Sequence, residues 1–191
     1  MGYTLLELAE VIEVLREKGI DGVIIGSTVL AVTIGAKELE DDVDLFVTSF
    51  SPTIEEQKIR DVAKELGWDL GRTGIDTLSI IARKGDKEIV IELYENIYDF
   101  YVPSHVINNA RRVRISGRRL KLIRIEDYIL LKARRGSEFD LEDLRVMRSM
   151  ISSRELRIDE GYLKKSLLNF PEEDRSLIIS RLRSVNFKIS V

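Results

Sequence analysis

The chain has 191 residues, of which 44% are hydrophobic and 33% are charged, and its formal net charge is -3. This composition is typical of a folded globular protein and argues against one that binds nucleic acid through bulk positive charge. Cysteine is absent, which excludes disulfides, thiolate metal sites and cysteine nucleophiles. With no membrane-length apolar run and no signal-peptide pattern, we expect a cytoplasmic protein without a membrane partner. The many Glu, Lys and Arg residues are typical of thermophile proteins.

The first elements alternate between helix and strand. Apolar residues recur at helical spacing over 4–18, and a short apolar strand is predicted over 23–25. The strand leads into Gly26-Ser27, and the apolar segment 28–34 is predicted to be a helix buried under a sheet. A glycine at this junction would let a phosphate approach the backbone, and the start of the helix would offer it N–H donors. The junction is therefore a candidate phosphate site.

Two aspartates interrupt the next apolar run, which is predicted to be a strand. Because strand side chains alternate between faces, Asp42 and Asp44 should share one face, with Val43 and Leu45 on the other. Two such carboxylates repel each other by about 4 kcal/mol at an effective dielectric of about 20, so we expect a divalent cation between them. The alternative is that Asp41 and Asp42 lie in a turn and Asp44 only begins an edge strand.

A helix and a hairpin are predicted next. Ser51-Pro52-Thr53 should begin a helix that ends at Gly67, because proline is tolerated in a first turn. Strands are predicted over 78–83 and 88–94, and the polar segment 84–87 between them is a hairpin signal. The middle of the chain thus adds further strands to the sheet.

A second hairpin is predicted over 111–124, with its turn at Ser116-Gly117. Apolar and basic residues alternate along it, so that one face is strongly basic and consists of Arg112, Arg114, Arg119 and Lys121. This face is a candidate contact surface for a nucleic acid or a triphosphate tail. The alternative is a solvated face that balances the acidic N-terminal half, because no aromatic residue interleaves the basic ones as single-strand stacking requires.

The C-terminal third is predicted to be helical. A helix over 126–135 is broken at Gly136-Ser137, and the helix that follows places Asp140 and Asp143 one turn apart. Lys132 in the first helix has the charge and reach to contact a phosphate, and Asp140 could pair with it or with the neighbouring arginine. The alternative is ordinary ion pairing on helix surfaces, worth about 0.3–0.5 kcal/mol per pair.

Two of these blocks carry a family resemblance. The first block resembles the core motif of the nucleotidyltransferase superfamily, whose fold is shared with DNA polymerase beta and the minimal nucleotidyltransferases. It consists of Gly26-Ser27, a helix, and then Asp42-Val43-Asp44. The helices around Lys132 and Asp140 resemble a block in the abortive-infection and toxin branch of that superfamily. The resemblance implies an α/β (α+β) fold, in which a small mixed sheet is flanked by helices and followed by a helical C-terminal portion.

The resemblance also implies a metal site. Superfamily members bind Mg²⁺, or Mn²⁺, through the paired carboxylates, which correspond to Asp42 and Asp44. They carry a third acidic residue on a neighbouring strand, and Glu92, between two apolar residues, fits that place. Many members have aspartate there, so glutamate is a departure. Glu88 lies on the same strand face nearer the hairpin turn and is the alternative.

The implied reaction transfers a nucleoside monophosphate from a nucleoside triphosphate, such as ATP, to an acceptor, with release of pyrophosphate. The residues expected to bind the nucleotide are Gly26, Ser27, Lys132 and Asp140. Acceptors in the superfamily include the end of a tRNA or another RNA, a protein side chain, and a small molecule. The sequence does not distinguish between them.

The same resemblance predicts a nucleotidyltransferase core over 1–124, which includes the basic hairpin, and a helical region over 125–191 packed on it. Two other functions stay open. The chain could keep the fold without turnover and act as a nucleotide-responsive partner of another protein, as in a toxin–antitoxin pair. It could also be an RNA-binding adaptor that depends on the basic hairpin.

Overall fold

The computed structural model describes residues 2–187, which form nine strands and eight helices. The strands are β1 (Tyr3–Thr4), β2 (Gly22–Ile24), β3 (Glu38–Leu39), β4 (Val43–Val47), β5 (Asp69–Arg72), β6 (Leu78–Lys84), β7 (Lys87–Tyr94), β8 (Arg111–Ile115) and β9 (Arg118–Leu122). The helices are α1 (Leu5–Glu17), α2 (Thr28–Ile34), α3 (Glu56–Leu66), α4 (Ser104–Asn108), α5 (Ile125–Arg135), α6 (Glu138–Ser152), α7 (Glu160–Leu167) and α8 (Glu172–Ser184). Within this part of the chain, no helix combines the length and apolar character needed to cross a bilayer.

Seven strands form one mixed sheet in the order β5-β6-β7-β4-β2-β9-β8. Strands β4 and β7 are parallel neighbours, β2 runs antiparallel to β4, and β2 runs parallel to β9. The short strands β1 and β3 pair with each other separately. The fold class predicted from the sequence, a mixed sheet flanked by helices and followed by further helices, is therefore confirmed.

The two faces of the large sheet can be told apart by register. Ile24 is the register partner of both Leu45 on β4 and Leu122 on β9, so these three buried side chains share one face. Helix α1 covers this face, because Arg118, which points the same way as Leu122, pairs with Glu13 on α1 at 3.0 Å. Residues one position along each strand point to the opposite face. That opposite face carries Asp44, and we refer to it below as the site face.

Both predicted hairpins are confirmed. Strands β6 and β7 are joined by Gly85-Asp86, with Gly85 at a φ of +62°. Strands β8 and β9 are joined by Ser116-Gly117, whose φ angles are +48° and +87°. Two consecutive positive φ angles are the requirement of a type I′ turn, which matches the twist of the strands it connects.

The start of α3 differs from the prediction. The segment Ser51-Pro52-Thr53 is a turn, and the helix begins only at Glu56. The cause is a contact distant in sequence, since the Glu95 carboxylate accepts the Ser51 hydroxyl at 2.8 Å and the Thr53 N–H at 2.9 Å. These bonds hold the segment in a turn that the helix cannot include.

The expectation that α2 is buried throughout is also wrong. Thr28 and Val29 are its only buried residues, and Ile34 is 40% exposed. Apolar residues occur on every side of this short helix, and a helix that rests on one side leaves the others uncovered. The apolar composition of α2 therefore did not predict how much of the helix is buried.

The chain folds as two compact units. The first consists of the chain up to Val102 together with Ala110–Ile123, and it contains all nine described strands with α1, α2 and α3. The second consists of Pro103–Asn109 and the chain from Arg124 onward, and it contains the remaining described helices. Within the second unit, α5 packs against α6, α7 and α8.

Candidate nucleotide and metal site

Asp44 and Glu92 are direct neighbours on adjacent strands. They are partners in the parallel register of β4 and β7, so both carboxylates extend from the site face, where each is half-buried. Asp42 lies one residue before β4 and is exposed. Burial alternates along β4 as the sequence predicted. The edge-strand alternative is wrong, because β4 lies inside the sheet between β7 and β2.

Gly26 lies against the carboxylate of Asp44. A Cβ atom at Gly26 would overlap Oδ2 of Asp44 and would lie 2.5 Å from its Cγ and 3.0 Å from its Cβ. The backbone is held close as well, since the Ile25 N–H donates to the Asp44 carbonyl at 3.0 Å. Ser27 follows as the first residue before α2, and its side chain does not cap that helix. The Asp44 carboxylate can therefore take this position only because residue 26 has no side chain.

Two tyrosines that the sequence reasoning missed share this neighbourhood. The Tyr94 hydroxyl donates to Oε2 of Glu92. Burial is the largest cause of a raised pKa at Tyr94, and the bond to Glu92 adds to it. The charges of Asp44 and Asp42 raise the same pKa further. At Tyr3 the pKa is raised first by burial and then by nearby aspartates, among them Asp42 and Asp44.

The two aspartates therefore act on the same pair of hydroxyl groups. The sequence did contain a signal for Tyr94, since it follows Glu92 by two residues on a strand and must point the same way. It contained no comparable signal for Tyr3, which reaches the site from the start of the chain and donates to the Asp41 carbonyl at 2.5 Å.

The chemistry of these side chains fits a hard divalent cation. Asp42, Asp44 and Glu92 offer the carboxylate oxygens that Mg²⁺ and Mn²⁺ prefer. Over residues 2–187, no three His, Asp or Glu side chains are already grouped as a metal site. Mg²⁺ is usually held by one or two carboxylates together with substrate phosphates, and not by a complete protein cage. The residues therefore fit a cation that is bound jointly with a nucleotide.

Lys132 and Asp140, the other residues predicted to bind nucleotide, lie in the second unit and contact each other. Lys132 Nζ lies 3.1 Å from Oδ1 of Asp140, and it also pairs with Asp143. Arg135 pairs with the same Asp140 carboxylate, which also accepts the Ser137 hydroxyl at 2.7 Å. The expected pairing of Asp140 with Lys132 or Arg135 is confirmed for both. Their part in nucleotide binding stays a prediction.

Replacing Asp140 with Ala should lower the free energy of unfolding by about 2 kcal/mol at neutral pH, because it removes a buried acceptor of charge-assisted hydrogen bonds. Burial alone would raise the pKa of Asp140, but hydrogen bonds from Arg135, Ser137 and Lys132 hold it below the ordinary 3.8. A carboxyl whose folded pKa is lowered stabilises the fold above its unfolded pKa and loses that contribution as the pH falls further. When unfolding by urea is measured at several pH values, the difference in free energy of unfolding between wild type and Asp140→Ala should therefore become smaller below pH 3.8.

The matched control for this variant is Glu138→Ala, which removes an exposed carboxylate from the first turn of the same helix. Its effect should stay within about 0.5 kcal/mol. Equal losses in the two variants, or a gap for Asp140→Ala that is constant with pH, would contradict the stabilising role of the buried carboxylate.

The four basic residues of the second hairpin lie on one face as predicted. Arg112 is the register partner of Lys121, and Arg114 is the register partner of Arg119. The three arginines are exposed and the lysine is half-buried. The structure thus presents them together on the surface of the first unit.

Comparison with known proteins identifies a family that matches most of the chain. A family profile described as "Nucleotidyl transferase of unknown function (DUF2204)" matches residues 4–184. No curated protein matches the chain significantly.

Among solved structures, the chain is similar to an antigenic nucleotidyltransferase-like protein from Paracoccidioides brasiliensis. The TM-score is 0.60 at 20% identity, and the match covers 96% of this chain and 91% of that chain. It is also similar to the antibiotic-resistance factor ANT(2'')-Ia, with a TM-score of 0.43 at 13% identity over 94% of this chain and 82% of that one. The first of these similarities shows a nucleotidyltransferase-like fold.

Proposed function

The chain belongs to the nucleotidyl transferase family described as DUF2204, and from this premise we propose that it transfers a nucleoside monophosphate from a nucleoside triphosphate to an acceptor oxygen. The acceptor oxygen attacks the α-phosphorus, the bond from that phosphorus to the bridging oxygen breaks, and pyrophosphate leaves. Membership of the abortive-infection and toxin branch stays a prediction.

One observation carries the proposal. Asp44 and Glu92 stand side by side on parallel strands, and Gly26 approaches the Asp44 carboxylate so closely that no side chain would fit between them. Two adjacent carboxylates packed against a glycine backbone suit phosphoryl transfer, because its catalysis consists largely of positioning and charge neutralisation.

Each residue then has a part in the reaction. Asp42 and Asp44 would hold a divalent cation, which supplies charge neutralisation for the triphosphate when it is bound. Glu92 accepts the proton of the acceptor hydroxyl. Because the Tyr94 hydroxyl occupies Oε2 of Glu92, Oε1 is the oxygen that receives this proton. Gly26 and Ser27 contact the phosphates.

The test is a transfer assay with two labels. The protein is incubated with Mg²⁺, a total cellular extract, and a nucleoside triphosphate labelled at either the α- or the γ-phosphate. Label at the α-phosphate should enter one fraction of the extract, and label at the γ-phosphate should appear only in pyrophosphate. Incorporation of the γ-label would instead indicate a kinase reaction and would overturn the proposal.

Glu92→Gln should lower kcat about 10²–10³-fold in this assay, because it removes the group that accepts the proton. Glu88→Gln is the matched control, since Glu88 lies on the same face of the same strand but is exposed near the hairpin turn. It should leave kcat within about twofold of wild type, as expected for a surface change. Equal losses in both variants, or a loss only in Glu88→Gln, would remove Glu92 from the proposed role.

A second function is favoured by the bond between Tyr94 and Glu92. That bond engages one oxygen of the third carboxylate, as would suit a protein that binds nucleotide without turning it over. This binding module would show nucleotide affinity independent of Mg²⁺ and no incorporation of either label. The enzyme instead requires incorporation that stops when Mg²⁺ is removed with a chelator.

A further inference from the structure

The basic face of the second hairpin consists of Arg112, Arg114, Arg119 and Lys121. We propose that this face holds the sugar–phosphate backbone of a nucleic acid whose terminal hydroxyl is the acceptor of the transfer. The inference rests on the proposed function and gives its acceptor a chemical class.

The basic face and the carboxylates lie on the same face of one sheet. Ile24 on β2 is the register partner of Leu45 on β4 and of Leu122 on β9. The residues immediately before Leu45 and Leu122, which are Asp44 and Lys121, therefore both point to the site face. The partners of Lys121 and Asp44, which are Arg112 and Glu92, point the same way. Basic and acidic groups are thus carried on the same side of one sheet in the first unit.

The spacing along this surface suits a polymer. Strand β2 alone separates β4 from β9, so that β9 lies about 10 Å and β8 about 15 Å across the sheet from Asp44. Because β4 and β9 run in opposite directions, Lys121 and Arg112 also lie two residues along the strands from the level of Asp44, or about 7 Å, and Arg119 and Arg114 lie four residues along, or about 13 Å. A single triphosphate that reacts beside Asp44 cannot also reach all four cations. A nucleic acid strand spans this distance and would present its end to the carboxylates.

The basic residues on the two sides of the hairpin differ in whether they form ion pairs with carboxylates. On the side that faces α1, Arg118 pairs with Glu10 at 3.4 Å and with Glu13 at 3.0 Å. On the site face, none of the four basic residues forms an ion pair with a carboxylate among residues 2–187. The carboxylates of α1 therefore neutralise Arg118 and leave the outer four cations to an external anion.

The basic face costs stability in the free protein. Its members stand directly opposite one another in two pairs of like charge, Arg112 with Lys121 and Arg114 with Arg119. Like charges at directly opposite positions of an antiparallel pair are destabilising. A polyanion removes this repulsion on binding, and the release of its counterions adds to the affinity. No aromatic residue lies among the four, so the contact is with phosphates and is independent of base sequence.

The test measures binding without a nucleoside triphosphate. A fluorescein-labelled single-stranded RNA is titrated with the protein over a series of salt concentrations, and a DNA of the same sequence forms a second arm. Four phosphate contacts give a slope of log affinity against log salt of about −3, as expected for a single strand. The triple variant Arg112→Gln/Arg114→Gln/Arg119→Gln should reduce that slope to about −1 and weaken binding at least about tenfold at low salt.

The matched control removes the same formal charge elsewhere on the first unit. It is Arg60→Gln/Lys64→Gln/Arg83→Gln, which changes three other exposed basic residues. The control should keep the wild-type slope. Equal weakening by both triple variants would reduce the effect to net charge and would overturn the proposal. Binding of polyglutamate as tight as that of RNA would overturn it as well.

Further readouts separate this proposal from the proposed function. Asp44→Asn should bind RNA like wild type, so that a failure of transfer and a failure of RNA binding are detected independently. The basic-face triple variant should unfold at the same temperature as wild type or a higher one, because like-charge pairs are removed. If it instead raises the KM for the nucleoside triphosphate without changing RNA binding, the face binds the triphosphate and the proposal is wrong. Tighter binding of RNA than of DNA would identify RNA as the acceptor class. Equal binding would mean that both RNA and DNA can be acceptors.

Discussion

Asp44→Asn is expected to abolish nucleotide transfer, with kcat lowered by at least about 10³-fold, while the protein stays folded. The amide keeps the shape of the carboxylate but loses the charge that would hold the cation against the triphosphate. Asp44 also stands nearest to Gly26 and is paired in register with Glu92. Its charge therefore lies next to both Gly26, which is proposed to contact the phosphates, and Glu92, which is proposed to accept the proton of the acceptor. The measurement is single-turnover transfer of the α-label, with circular dichroism to verify the fold.

The matched control is Asp86→Asn, which makes the same chemical change at the exposed tip of the hairpin between β6 and β7. Its kcat should equal that of wild type. Retention of more than about a tenth of the wild-type rate by Asp44→Asn would show that the charge at Asp44 is dispensable. The proposed arrangement of the site would then have to be abandoned.

The sequence was informative where a structure is determined by near neighbours. Ser116-Gly117 and Gly85-Asp86 were identifiable as turns because few residues tolerate a positive φ, and both turns form as expected. The alternating burial of Val43, Leu45 and Val47 along β4 likewise follows from the period of a strand, although Asp42, which was predicted to lie in that strand, precedes it. In both cases the physical cause lies within a few residues of the feature that it determines.

The sequence was silent where the cause lies far away in the chain. Nothing near Lys121 indicates that β9 pairs in parallel with β2, yet this pairing brings the basic face onto the same side of the sheet as Asp44. The turn at Ser51 was missed for the same reason, because Glu95 causes it. Long-range pairing depends on the burial of whole strands, and no local pattern records which strands become neighbours.

Gly26→Ala is expected to be the second most damaging substitution. The new Cβ would overlap Oδ2 of Asp44, so either the carboxylate or the backbone must move. A displacement of about 1 Å at a reacting group can cost about 10²-fold in rate, and overpacking costs about 1–3 kcal/mol in stability. We expect losses of that size in kcat and in the free energy of unfolding. Gly74→Ala is the control, since a Cβ there meets nothing within 4 Å.

A double variant identifies the clash as the cause. If the added methyl group acts mainly through the Asp44 carboxylate, then Gly26→Ala should cost much less stability in an Asp44→Ala background, where the overlapping Oδ2 is gone and only the 3.0 Å contact with the Cβ of residue 44 remains. The two substitutions would then be coupled by about 1–3 kcal/mol, because each removes the reason for the effect of the other. Equal stability losses in the two backgrounds would mean that the methyl group meets another part of the protein. In that case the contact between Gly26 and the Asp44 carboxylate would not be the reason that glycine occupies position 26, between β2 and α2.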